Sequence, residues 1–211
     1  MKTLIAIPTC YATAYGDKKS ADQSGILNRA GYLRTALKGN PDVRFFLGGG
    51  LLGQWLPERD GPQDVVLPVF DDYESLPQKV RAVFGWAYDE GYDFCLKLDD
   101  DSLFSLPAFL ASDYAQYDYV GCALVGKTAG KEVAYASGAG YCLSRRAMEI
   151  AENFVVEDWA EDKEIGRVLS AAGIYVHHDE RYKVCVCDVC KPNIGKDWIL
   201  IHGGIGHVQE S

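Results

Sequence analysis

Short apolar runs alternate along this chain with longer stretches in which apolar residues recur every third or fourth position, the pattern of strands alternating with amphipathic helices. Residues 3–7 form a brief β-rich run. Ile26, Leu27, Ala30, Leu33 and Leu37 then recur at helical spacing, with Ser24 placed to cap the helix and Gly39 to stop it. Residues 43–47 read as a second strand, ended by Gly48, Gly49 and Gly50, and residues 65–69 as a third. Leu76, Val80, Val83, Phe84 and Ala87 mark another amphipathic helix that stops at Gly91. Residues 94–98 form a buried strand that runs straight into Asp99, Asp100 and Asp101. Farther on, residues 119–124 and 132–143 have strand character, Ile165, Val168, Leu169 and Ala172 fit a helix, and residues 198–201 form a last strand.

This alternation predicts an α/β fold whose central sheet is mixed but mainly parallel, with helices on both faces. Ligands in such sheets gather at the C-terminal ends of the strands. The aspartate triplet falls at that edge. No repeat, linker or low-complexity tract interrupts the pattern, so residues 1–211 are read as a single domain.

Composition narrows the classes. A chain of 211 residues that is 48% hydrophobic builds one sizeable core. A formal net charge of −9 argues against a surface made to grip nucleic acid through its phosphates. No apolar stretch approaches the roughly 18 residues of a membrane span. Lys2 followed by an apolar patch and Ala12-Thr13-Ala14 mimics a signal peptide, but residues 4–7 are too short for an h-region of about 7–15 residues. Seven cysteines are an odd number, and Cys95, Cys122 and Cys142 sit inside apolar, strand-like runs. Reduced thiols and a cytoplasmic protein are therefore expected.

The triplet carries the sharpest chemistry. In an extended turn, Asp99 and Asp101 face the same way while Asp100 points elsewhere. Adjacent carboxylates repel unless a cation or donors compensate them, and their oxygens suit Mn²⁺ or Mg²⁺ held jointly with substrate phosphates. The plain alternative is a solvated acidic turn with Asp101 capping a helix after Ser102. His202, at a strand end before Gly203-Gly204, can complete a metal shell, although a lone histidine is more often structural. Glu157, Asp158, Glu161, Asp162 and Glu164 cluster at a helix start, where acids are favoured by the dipole. One of them could serve as a general base, and the rest are expected to be tolerant surface acids. Residues 137–141, Ser-Gly-Ala-Gly-Tyr, make either a cradle for substrate or a tight turn. Cys185, Cys187 and Cys190 can hold a structural zinc with His177 or His178, although plain thiols are as good a reading.

Taken in order, these pieces resemble the β-1,3-galactosyltransferase and Fringe family of GT-A glycosyltransferases. The family's D-S-Y-x-N-L-x-x-K segment is matched at Asp71, Tyr73, Leu76 and Lys79, and its K-x-D-D-D strand resembles residues 97–101. Its s-G-x-G-Y element is similar to residues 137–141, its E-D-V-x-x-G motif to residues 161–166 with Lys163 at the usual small apolar position, and its V-H-x element to residues 201–203. The early R…R-x-T pattern is echoed by Arg29 and Arg34-Thr35.

The resemblance implies a single GT-A domain of Rossmann-like nucleotide-diphospho-sugar transferase type. Residues 1–101 would be the nucleotide-sugar-binding half and residues 102–211 the acceptor side. It implies inverting transfer from a UDP-sugar, with Mn²⁺ (or Mg²⁺) on Asp101, Asp99 and His202 and with Asp162 as the base. Thr9, Asp71, Tyr73, Lys79, Asp99, Asp100, Gly138 and Gly140 form the nucleotide-sugar set. Gly166, one turn beyond Asp162, is expected to leave room for substrate. The acceptor hydroxyl would belong to a glycan precursor, a protein, or a hydroxymethylated DNA base as in a phage-type DNA glucosyltransferase. For DNA, Lys18-Lys19, Lys127, Lys131, Arg145-Arg146 and Lys183 are scattered basic candidates. Two rivals from other classes are a metal-dependent phosphohydrolase and a non-catalytic nucleotide-sugar-binding module.

Overall fold

The computed structural model describes residues 1–9, 29–49, 63–128, 130–157, 159–184 and 197–202, the side chains of residues 29–31 excepted. The central sheet contains β1 (Thr3–Pro8), β2 (Val43–Gly48), β3 (Asp64–Leu67), β4 (Phe94–Leu98), β6 (Tyr119–Thr128), β7 (Lys131–Ser144) and β8 (His177–His178), in the spatial order β3-β2-β1-β4-β7-β6-β8. The first four positions are parallel, β7 runs antiparallel to β4 and β6, and β8 is parallel to β6. A small second sheet joins β5 (Leu103–Phe104), β10 (Leu200–Ile201) and β9 (Tyr182–Lys183).

Strand alternation sorts the core into two layers. On β1, Leu4 and Ala6 face one layer and Ile5 and Ile7 the other. The first layer is covered by α2 (Leu76–Asp89), α4 (Arg145–Ala151) and α5 (Glu161–Ala171) through Val80, Val83, Phe84, Met148, Ile165 and Leu169. The second is covered by α1 (Arg29–Ala36), which brings Leu33, and by the segment of α3 (Leu106–Leu110), which brings Phe109 against Tyr114. Gly39 and Gly91, each at positive φ, end the two predicted helices in the conformation that glycine adopts without strain. The helix positions read at Ser24, Ile26 and Leu27 lie outside the described residues.

Three departures from the sequence pattern matter for the site. The third strand stops at Leu67 because the Val69 amide turns back to the Leu67 carbonyl, 2.9 Å away. No helix follows Ser102; the chain enters β5, and the later helix α3 is capped by the Ser105 hydroxyl instead of Asp101. The last strand joins the small sheet, where Leu200 and Ile201 pair with Phe104 and Leu103. That pairing brings His202, a hundred positions on, beside Ser102.

Candidate active site

Because β1, β2 and β4 are parallel, Thr9, Gly48 and the aspartate triplet emerge along one edge of the sheet. β7 comes to that edge from the other direction, with Gly140 opposite Leu98. Its pairing with β6 breaks between Gly121 and Ala123, whose partners are Tyr141 and Ala136. Residues 137–140 thus bulge relative to β6, and a bulge frees backbone groups from that side of the ladder. The Gly138 amide donates to Asp162 Oδ2 at 3.0 Å, and the Gly138 carbonyl accepts from Lys97 Nζ. Neither the cradle nor the tight turn of the sequence reading describes this arrangement fully.

The triplet divides as its alternation requires. Ligand atoms of Asp99, Asp101 and His202 lie within 4.8 Å of one another, all half-buried. Asp100 points away and accepts the Thr9 hydroxyl at 2.7 Å; its burial raises the carboxyl pKa more than that bond lowers it. His202 Nδ1 stands 3.1 Å from Asp101 Oδ1 and 3.1 Å from the Ser102 hydroxyl. The bond with Asp101 raises the imidazole pKa, and burial opposes it. Two carboxylates and an imidazole that converge beside an open cavity fit a hard divalent cation with room left for substrate oxygens.

Beneath the triplet lies a charge network that the sequence did not reveal. Lys97 is 1% exposed and its ammonium meets Asp99 Oδ1 at 2.6 Å and Glu161 Oε1 at 2.7 Å, besides the Gly138 carbonyl. Burial alone would lower its pKa, but the two carboxylates prevail and hold the ammonium well above the ordinary lysine range. Burial likewise pushes the Glu161 carboxyl up, against the pull of Lys97. Glu161 Oε2 accepts the Tyr141 hydroxyl at 3.1 Å. One lysine therefore ties β4, the β7 bulge and the start of α5 together.

Asp162 lines a cavity of about 330 Å³ together with Lys97, Asp99, Gly138, His202 and the exposed rings of Tyr73 and Trp159. Its neighbours in the acidic cluster differ from the surface acids that the sequence leads one to expect. Glu161 and Glu164 are buried rather than surface acids, and Asp158 lies outside the described residues. Burial tends to raise the Glu164 pKa, yet bonds from Arg167, the Glu157 amide and Thr128 outweigh it and hold the carboxyl below its ordinary value. Its contribution to stability is thus present above the unfolded carboxylate pKa and fades as pH falls through the folded one. Glu164→Gln should cost about 2 kcal/mol, seen as a melting point lower by about 4–8 °C, with catalysis unchanged. Equal melting of both proteins would remove this role. Gly166 does not open space for substrate. A Cβ there would meet the Tyr135 Cβ at 2.5 Å and the Ala134 carbonyl at 2.7 Å, so glycine lets α5 lie close on β7.

The remaining predicted residues are braces as much as contacts. Lys79, 3% exposed, bonds Asp71 at 2.5 Å and the Thr9 carbonyl at 3.0 Å, while Asp71 accepts the Gly48 amide at 2.8 Å. These bonds fix the ends of β1 and β2. Gly140 is away from the cavity lining: a Cβ there would meet Leu200 Cδ1 at 2.4 Å, so its requirement for glycine is one of packing. Cys95 and Cys142 are buried free thiols and Cys122 a half-buried one. Cys185, Cys187, Cys190 and Gly203 lie outside the described residues.

No protein-family model matches the sequence, and no curated protein matches it. Among solved structures, a glycosyltransferase involved in the glycosylation of the major capsid of PBCV-1 superposes with a TM-score of 0.53 at 11% identity, over 94% of this chain and 92% of that one. The fold is that of the nucleotide-diphospho-sugar transferases. A protein described as a glucose-1-phosphate thymidylyltransferase from Bacillus anthracis is similar at a TM-score of 0.50 and 11% identity, over 84% of this chain and 87% of that chain. One described as a nucleotide-diphospho-sugar transferase from Desulfovibrio desulfuricans G20 gives 0.48 at 14% identity, over 85% and 80%. At such identities the likeness is one of fold. Within this GT-A-like fold the cavity lies between the aspartate turn and the start of α5. Among the described residues, no helix is long and apolar enough to cross a membrane.

Proposed function

We propose that this protein is a metal-dependent, inverting glycosyltransferase that moves a sugar from a UDP-sugar to a hydroxyl acceptor. The observation that carries the reading is a single cavity lined both by Asp162 and by Asp99 and His202, two members of the group that Asp101 completes. A bound divalent cation would supply neutralisation of the negative charge on the departing diphosphate. Asp101, Asp99 and His202 would hold it, with Thr9, Asp100 and Tyr73 on the nucleotide-sugar side and Lys79 and Asp71 bracing them.

Asp162 is the base. Its carboxylate takes the proton of the acceptor hydroxyl as the acceptor oxygen bonds to the sugar's anomeric carbon and the bond from that carbon to the diphosphate breaks. A double displacement would need a second carboxylate free to attack the anomeric carbon. Glu161 is engaged by Lys97 and Tyr141, which favours a single displacement and inversion.

Nucleotidyl transfer, which the shared fold also hosts, would need cations for a triphosphate and a sugar phosphate. Of the described lysines lining the cavity, Lys97 is already paired and Lys163 remains. A two-metal phosphohydrolase is disfavoured because the described residues offer one group of metal ligands. The test is incubation with UDP-glucose, UDP-galactose and UDP-N-acetylglucosamine in Mn²⁺. Slow release of free sugar with UDP supports the reading. Pyrophosphate from a nucleoside triphosphate and sugar 1-phosphate, phosphate from simple esters, or binding without turnover would replace it with the corresponding rival.

Asp101→Ala and His202→Ala should each weaken UDP binding in Mn²⁺ by more than about tenfold, without unfolding the protein. Metal must displace the proton from the raised-pKa His202, so affinity should fall as pH drops through that pKa. Unchanged calorimetric affinity in either variant would refute the shared site.

A further inference from the structure

Trp159 is 65% exposed at the cavity rim, three residues before Asp162. Tyr73, 69% exposed, meets it from the segment ahead of α2, with ring centroids 6.3 Å apart and planes inclined by 43°. Single exposed aromatics are ordinary, but two in contact at the mouth of a cavity form a continuous apolar patch, and such patches mark binding surfaces. The cavity beside them presents polar groups, among them Asp99, Asp162 and His202. An apolar platform bordering carboxylates matches a pyranose ring. One face of such a ring is C–H, which rests on an aromatic plane, while its rim is hydroxyl, which donates to carboxylates.

The other acceptor classes fit less well. A DNA base could stack, but its phosphates would approach Asp99, Asp162 and Glu161; of the described lysines lining the cavity, Lys97 is already committed to Asp99 and Glu161, which leaves Lys163 against those carboxylates. Arg145 and Arg146, two of the basic candidates, hold the Tyr88 and Tyr92 carbonyls and Asp118 and do not line this cavity. A peptide would bring main-chain donors and acceptors that an aromatic rim leaves unpaired. We infer that Trp159, against which the donor-side Tyr73 packs, is the platform for the acceptor's pyranose ring, so the acceptor is a saccharide hydroxyl. The inference rests on the glycosyltransferase reading and gives it a substrate class.

The test measures binding separately from transfer. Methyl β-D-glucopyranoside and methyl β-D-galactopyranoside are titrated by saturation-transfer NMR against wild type, Trp159→Ala and Trp159→Phe. Mn²⁺-UDP affinity is measured in parallel. At least one glycoside should bind wild type through its C–H protons, and Trp159→Ala should weaken it about fivefold to tenfold. Trp159→Phe should retain most of the affinity, and UDP binding should not change in either Trp159 variant. Absence of glycoside binding, equal binding to Trp159→Ala, or a parallel loss of UDP affinity in that variant would overturn the inference. So would Trp159-dependent binding of a hydroxymethylcytosine oligonucleotide or a serine-rich peptide in place of the glycosides. Trp159-dependent glycoside binding with no Mn²⁺-UDP binding would instead sink the transferase reading and leave the saccharide platform standing.

Discussion

Asp162→Asn should lower sugar transfer by about 10²–10⁴-fold, the range expected for removal of a general base. The substitution keeps the shape of the side chain and an amide oxygen that can still accept the Gly138 amide at the present 3.0 Å position. What it removes is proton affinity. It also removes a negative charge from the first turn of α5, worth about 0.3–1 kcal/mol through the helix dipole, so the melting point should move by only about 1–4 °C. UDP-sugar affinity in Mn²⁺ should stay near wild type, because Asp162 is not among the grouped Asp99, Asp101 and His202 ligands. The split between kcat and KM therefore discriminates: a base lost shows in kcat, a misfolded pocket in both. Near wild-type transfer by Asp162→Asn, with Glu157→Gln or Asp158→Asn inactive, would assign the base elsewhere in the cluster.

Much of this architecture is legible in the sequence because periodicity reports burial. The strand at residues 94–98 is recognisable from Phe94, Cys95, Leu96 and Leu98, and it delivers the triplet to the edge where the structure has it. Alternation along an extended turn likewise anticipates that Asp99 and Asp101 converge while Asp100 points elsewhere, which in the structure is to Thr9. What the sequence hides are relations between distant segments. Glu161 and Glu164 look like ordinary acids at a helix start, and only the packing of α5 on β7 shows that both are buried and paired. Gly166 reads as vacant space but is filled by Tyr135. The two-residue strands β5, β9 and β10 are too short to have a period, yet their pairing is what sets His202 beside Ser102. Lys97 stands in the sequence as one position of a motif; nothing in a string of residues shows that a lysine inside an apolar strand is fully covered and held from three sides.

That covered lysine sets the second large effect. Lys97→Met should destabilise the protein by about 3–5 kcal/mol, the usual consequence of removing one partner from a buried charge pair. Glu161, 5% exposed at its side chain, would keep only the Tyr141 hydroxyl. The Gly138 carbonyl would lose its ammonium donor and Asp99 its countercharge. For a chain of this size the melting point should fall by about 6–20 °C. Turnover should fall as well, since the Gly138 peptide that bonds Asp162 is held by the same ammonium. Two explanations of the stability loss separate in the double variant. If the loss comes from the orphaned Glu161 carboxylate, then Lys97→Met with Glu161→Gln should regain most of it, because replacing both buried partners with neutral groups is often close to neutral. Activity should not return with stability, because Asp99 still lacks its lysine. A double variant no more stable than Lys97→Met would mean that the lysine's stem and its Gly138 bond, rather than the Glu161 pair, carry the effect. A single variant melting within about 2 °C of wild type, a difference below 1 kcal/mol, would mean that the network contributes little to the fold.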